Sequence, residues 1–130
     1  MSDDILDQVK KGRLDVENLT NEQRSILNKQ LTIISKRGLF TDVDNLIFVK
    51  NNNGMLINMA KKFQMQYRSQ YKFDLEDLKN VGYIGLKRAL EKYDVNHPSS
   101  AQFNTFAYYW VFAEMRKYVI TAISPIHVPE

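Results

Sequence analysis

The stretch Phe103-Asn-Thr-Phe-Ala-Tyr-Tyr-Trp-Val-Phe-Ala-Glu-Met-Arg-Lys-Tyr118 holds seven aromatic residues in sixteen: Phe103, Phe106, Tyr108, Tyr109, Trp110, Phe112 and Tyr118. A helix that buries one face needs about three or four apolar positions in every two turns. Phe103, Phe106, Ala107, Trp110, Val111, Tyr118, Val119 and Ala122 have that spacing and define a core face. Tyr108, Tyr109 and Phe112 fall off it, next to Arg116 and Lys117. Rings on an outward face beside cations form a platform on which unpaired bases stack. Nucleic acid is therefore the first candidate ligand. The plainer reading of the same rings is core plus a protein interface.

Helical spacing continues outward from this segment. Residues 3–11 read as a short helix stopped near Gly12. Thr20-Asn-Glu-Gln23 has the spacing of a capping box and opens a helix running to about Lys36 and ending at Gly38. Its Ile26, Leu27, Leu31 and Ile34 make the apolar stripe. Thr41-Asp-Val-Asp44 marks another start, and the pattern then runs to about Tyr71, with a break expected at Asn51-Asn-Asn-Gly54. Asp74-Leu-Glu-Asp77 opens a helix whose apolar positions are Leu75, Leu78, Val81, Ile84, Leu86, Ala89, Leu90 and Tyr93. Asp94 to Gln102 reads as a loop, after which the aromatic helix begins, capped by Asn104 or Thr105 and running to about Ile123. Ser124-Pro-Ile-His-Val-Pro-Glu130 is expected to be extended, because proline fixes φ and biases the residue before it away from helix. An extended, uncapped tail suggests that the natural chain continues. With 5 glycines and 3 prolines in 130 residues, the expected fold is all-α.

Composition narrows the function classes. There is no cysteine, hence no disulfide framework and no thiolate metal site. His97 and His127 lie about thirty residues apart without a carboxylate or second His at ligand spacing, so neither is read as a metal ligand. No cofactor is expected. No phosphate-binding glycine loop, catalytic triad or carboxylate pair occurs at usable spacing, so an enzyme is not expected. No run reaches the roughly 18 apolar residues that span a bilayer, and Asp3 and Asp4 have the wrong sign for the start of a signal peptide. The expected location is cytoplasmic. The net charge is +3: residues 1–50 balance eight basic against eight acidic side chains, and residues 51–130 carry ten basic against seven acidic. The surplus lies in the half with the rings, which agrees with a polyanionic partner.

Residues from about Asn52 to Glu130 resemble region 2 of bacterial sigma factors of the sigma-70 family. Met59-Ala-Lys-Lys-Phe63 is like the alanine, two basic residues and aromatic of the family's first conserved helix. Asp77-Leu-Lys-Asn-Val-Gly-Tyr-Ile-Gly-Leu86, followed by Ala89, Lys92, Tyr93 and Asp94, is like the family's Asp-Leu-x-x-x-Gly-x-x-Gly-Leu and its continuation. Phe103-Asn-Thr-Phe-Ala107 is like Phe-Ser-Thr-Tyr-Ala, and Ile126-His-Val-Pro129 is like the motif closing the region. Residues 1–45 show no clear match and are expected to form an N-terminal helical extension; residues 46–123 would be the region 2-like domain and 124–130 a tail toward a downstream region.

The resemblance implies a compact helical bundle, with extra N-terminal helices, that docks on the clamp helices of the largest RNA polymerase subunit and captures the non-template strand of the −10 promoter element. By position, Asp77, Asn80 and Val81 would face the polymerase. Phe106, Tyr109 and Trp110 match the aromatics that stack the flipped adenine and wedge the upstream duplex. Asn52, Met55, Asn104 and Thr105 match the pocket for a second flipped base. Lys61, Lys62, Arg116 and Lys117 would contact phosphates. Flipping a base costs a few kcal/mol, and each base–aromatic stack returns about 1–3 kcal/mol, so two captured bases roughly offset local opening. The plainer readings are a helix cap for Asp77 and a solvated face for Asn80 and the lysine pairs.

Departures from the family are specific. Tyr109-Trp110 stands for the Trp pair of housekeeping members, Ala113 for a Gln that helps read the upstream base pair, and Val81 for an acidic residue of the docking surface. Glu114-Met-Arg116 is closer to alternative sigma factors, and residues 64–73 are a few residues longer than the family's turn. Region 4, the reader of the −35 element, has no counterpart in these residues. An alternative or phage-encoded factor, acting in a bacterial or host cell, fits this pattern, with an anti-sigma protein or a second sigma-domain subunit as further partners. Two other classes stand beside it: a polymerase-binding inhibitor or half of a split sigma that does not read promoters, and a helical interaction module outside transcription.

Overall fold

A computed structural model describes residues 4–94, 96 and 102–124. The described residues form an all-α bundle: α1 (Ile5–Lys10), a single 3-10 turn (Val16–Asn18), α2 (Asn21–Lys36), α3 (Asp42–Asn51), α4 (Asn53–Gln66), α5 (Leu75–Lys92) and α6 (Phe103–Ile123). The expected tail from Pro125, with the Ile126–Pro129 motif, lies outside the described residues, as do His97, Pro98, Ser99 and Ser100 of the expected loop.

The helix starts follow side-chain chemistry. Thr20 and Gln23 form a full capping box at α2, and Thr41 and Asp44 form another at α3, each satisfying two orphan N–H groups. Asp74 caps α5 by accepting from the Glu76 and Asp77 N–H groups. Gly12 and Gly38 take φ of 75° and 73°, where other residues are strained, and end α1 and α2. Asn52 is both the last cap of α3 and the first of α4, which is the break expected at the asparagine run. Asp44 is buried at 1 % exposure, and its Oδ1 is met by Lys10 Nζ at 2.7 Å, tying α1 to α3. Burial alone would raise the Asp44 pKa, but the bonds from Lys10 and Thr41 outweigh it and hold the carboxyl below its usual value.

Three boundary and burial expectations are corrected. α6 starts at Phe103 with Gln102 as its cap residue, and neither Asn104 nor Thr105 caps it. The start is set by the Phe103 ring, buried edge-on between Phe48 at 5.8 Å and Tyr93 at 5.2 Å, while the Asn104 amide is engaged elsewhere. α4 ends at Gln66, short of Tyr71. The chain must reverse there to bury Phe73, whose carbonyl accepts from Gln64 Nε2 at 2.8 Å. Ile26, Ile84 and Ala122, placed on apolar stripes by spacing, are exposed, and Phe106, Trp110 and Tyr118 are half-buried against the core. The core itself is built from Leu27, Leu31, Phe48, Leu56, Leu78, Leu86, Val111, Met115 and Val119.

Candidate nucleic-acid interface

The position of α6 is set by its crossing with α5. At Gly85 a Cβ would land on the Trp110 carbonyl and 2.8 Å from the Val111 Cα, so the two backbones approach as only glycine permits. Ala107, Val111, Met115 and Val119 face inward along this crossing. The opposite side of α6 displays Tyr108, Tyr109 and Phe112, with Tyr109 the most open at 67 %.

These rings continue onto α4. Tyr108 stacks with Phe112 (6.3 Å, 7°), Phe112 meets Phe63 (5.5 Å, 33°), and Phe63 stacks with Tyr67 (6.2 Å, 14°). Tyr109 stands edge-on to Tyr108 at 6.0 Å. Of the three aromatics expected to hold and wedge bases, only Tyr109 is exposed. Phe106 packs on Tyr93 at 5.3 Å, and Trp110 leans on Phe106 at 6.2 Å. Lys61, Lys62 and Arg116 are exposed. Lys117 is exposed too, but sits 3.5 Å from Glu114, a carboxylate that Arg88 also holds at 3.2 Å.

The expected second-base pocket is partly assembled. Asn52, Met55 and Asn104 line one cavity of about 440 Å³, and Thr105 is exposed outside its lining. Its other wall comes from the N-terminal segment: Glu17, Asn21, Arg24 and Asn28. Asn28 Nδ2 donates to Asn52 Oδ1 at 2.9 Å and to Asn104 Oδ1 at 3.0 Å, bridging α2, α4 and α6. Arg24 donates to the backbone and side-chain oxygens of Asn51. Among the described residues no group of three or more His, Asp or Glu could hold a metal ion, and no helix is long and apolar enough to cross a membrane.

The residues expected to face polymerase lie along α5. Asp77 and Asn80 are exposed and Val81 is half-buried; with Ile84, 47 % exposed, they share one stripe at helical spacing. Val81 and Ile84 also border an apolar groove of about 460 Å³ closed by Tyr118 and Ala122 of α6. The Tyr118 hydroxyl is pushed up by burial and, secondarily, by the nearby charges of Asp77 and Asp74.

Sequence reasoning missed Asn28, Arg24, Tyr67 and the exposure of Ile84. Nothing local marks Asn28, whose partner Asn104 is 76 residues away. Tyr67 was detectable, because it stands four residues after Phe63 on one helix face.

Part of this chain is similar to known proteins. The chain is 36% identical over 87 residues to RNA polymerase sigma factor SigA4 of Synechococcus elongatus, covering 63% of this chain and 25% of that protein. It is 31% identical over 81 residues to the RNA polymerase sigma-C factor of Nostoc sp., covering 62% and 18%. A probable RNA polymerase sigma-C factor of Synechocystis sp. matches at 30% over 81 residues. The chain thus spans a quarter or less of the length of these curated relatives. No family model and no solved structure matches. Over 62–63% of its length, this chain is similar to a segment of these RNA polymerase sigma factors, which supports a sigma-70 family domain.

Proposed function

We propose that this protein acts in transcription initiation as a sigma factor-like subunit, docking on the clamp helices of RNA polymerase and capturing flipped bases of the non-template −10 strand. The docking surface in this reading is the α5 stripe of Asp77, Asn80 and Val81, extended by Ile84. Strand capture uses Phe106, Tyr109 and Trp110 together with the cavity at Met55 and Asn104. Asn52 supports that cavity, and Thr105 borders it from outside the lining. Lys61, Lys62, Arg116 and Lys117 supply phosphate contacts. One observation carries the reading: α6 displays an exposed Tyr109 and a row of rings, with Arg116 and Lys117 exposed on the same helix, and that helix is locked to the one with the proposed docking stripe. Residues 46–123 would form the working domain, with the N-terminal helices as one wall of its pocket.

The test pairs a pull-down of bacterial RNA polymerase core with a fluorescent non-template −10 oligonucleotide. Wild type should bind core, the Asp77→Lys, Asn80→Glu double variant should not, and oligonucleotide affinity should appear when core is present. Core binding without strand capture would replace this reading with that of an inhibitor or half of a split sigma. No binding to core from several bacterial sources would refute it.

A further inference from the structure

We infer that Asn28 of α2 fixes which end of the Asn104 amide faces the cavity, making the cavity a receptor for the carbonyl edge of a flipped base. This rests on the strand-capture reading and adds to it a positioning residue and a polarity.

The argument starts from two backbone carbonyls, which can only accept. Asn51 Nδ2 donates to the Arg24 carbonyl at 3.1 Å, and Asn52 Nδ2 to the Phe48 carbonyl at 2.8 Å. The second hydrogen of each nitrogen goes to Asn28 Oδ1, at 2.9 and 3.0 Å. With its oxygen committed there, Asn28 must point its nitrogen the other way, toward Asn52 Oδ1 and Asn104 Oδ1. An amide offers two donor hydrogens and two lone pairs, so Asn28 is saturated, and it is buried at 1 % exposure. The chain of donors and acceptors then has one solution. Asn104 is held by its oxygen, and its nitrogen is left over, with no acceptor among the described residues. Turning Asn104 over would set two nitrogens against each other and leave a buried Asn28 hydrogen unmet, which costs more than the bond itself.

Asn104 lines the cavity, so its wall of the cavity shows a donor, beside the side chains of Glu17, Asn21, Arg24, Lys50, Asn53 and Asn58 that also line it. Asn52 has given both hydrogens to the protein, so its part is to hold Asn28 rather than to touch a base. A base edge that meets Asn104 therefore meets a donor, which favours the carbonyl of thymine or guanine over the amino group that cytosine or adenine carries at the same edge.

The experiment uses the full chain with RNA polymerase core. The probes are fluorescent non-template oligonucleotides carrying each of the four bases at each position in turn. Wild type should show one position where keto bases exceed amino bases by roughly three- to tenfold. Asn104→Asp keeps the oxygen that Asn28 needs and shows a second oxygen to the cavity, so the preference at that position should reverse. Asn28→Asp has no hydrogen to give; Asn104 should turn to supply one, and the preference should reverse again. Asn28→Ala releases Asn104, and the preference should collapse toward parity. Melting curves on all variants identify those that fold. Reversal in Asn104→Asp with an unchanged preference in a folded Asn28 variant would overturn the positioning role. An unchanged preference in Asn104→Asp would overturn the polarity. Absence of any strand binding by wild type with core would instead refute the strand-capture reading.

Discussion

Gly85→Ala probes the contact on which both proposed surfaces depend. The new methyl would meet the Trp110 carbonyl group and lie 2.8 Å from the Val111 Cα, where ordinary contact begins at 3.4 Å. The helices must therefore part by at least about 0.6 Å, the difference of those two distances, and backbone cannot rotate aside as a side chain can. Overpacking of this kind costs about 1–3 kcal/mol, and a backbone obstacle places it near the upper end. Replacing glycine inside a helix returns about 1 kcal/mol, leaving a net loss of about 2 kcal/mol. Unfolding entropy near 2.1 cal/mol/K per residue over 130 residues gives about 270 cal/mol/K. The melting temperature should fall by about 7 °C, read by circular dichroism at 222 nm. Gly82→Ala is the internal control. Its nearest obstacle is the Met115 Cε at 2.5 Å, the far end of a flexible side chain, followed by Leu56 Cδ2 at 3.0 Å. Methionine adapts, so that variant should stay within about 1 kcal/mol of wild type. A Gly85→Ala protein as stable as wild type, or more stable than Gly82→Ala, would refute the reasoning.

Lys10→Met should cost about 1–3 kcal/mol at neutral pH by leaving the buried Asp44 carboxylate without its cation. Asp44 has a depressed folded-state pKa, so its contribution is present above the unfolded value near 3.9 and is lost as pH falls through the folded value. Urea titrations across pH 3–7 should show the variant losing that contribution at a higher pH than wild type. Tyr109→Ala, at an exposed position, should change stability by less than about 0.5 kcal/mol. The same change should lower oligonucleotide affinity on core about tenfold or more, measured by anisotropy. For the salt dependence of that affinity, Arg116→Gln should reduce the slope by about 0.7. Lys117→Gln should reduce it less, because Glu114 already holds that ammonium group.

Local chemistry made most helix limits legible. Thr20, Thr41 and Asp74 announce their caps, and Gly12 and Gly38 their stops, because each acts on N–H and C=O groups within a few residues. The asparagine run broke the helix where its sequence said it would. Failures came where a distant partner decides. α6 opens at Phe103 because Phe48 and Tyr93 bury that ring. α4 stops early because Phe73 must return to the core. In the candidate site, the displayed Tyr108, Tyr109 and Phe112 followed from periodicity alone, since an overloaded aromatic helix cannot bury every ring. The role of Asn52 did not, because an asparagine beside a pocket and one bonded inside it read alike until Asn28 is placed. The stripe at Ile84 was hidden for a similar reason: its side lies against an open groove, and spacing cannot report that none of the described residues covers it.

The α5–α6 crossing makes a ruler of this domain. The stripe proposed to hold polymerase and the rings proposed to hold DNA sit on two helices in direct backbone contact. Their separation is thus a register, and registers change in steps. Sliding α6 by one residue would advance its rings by about 1.5 Å and turn them by about 100°, toward a different face of the protein. For a factor that binds both partners, the place where a strand opens relative to the enzyme would be written at the point where Gly85 meets Trp110.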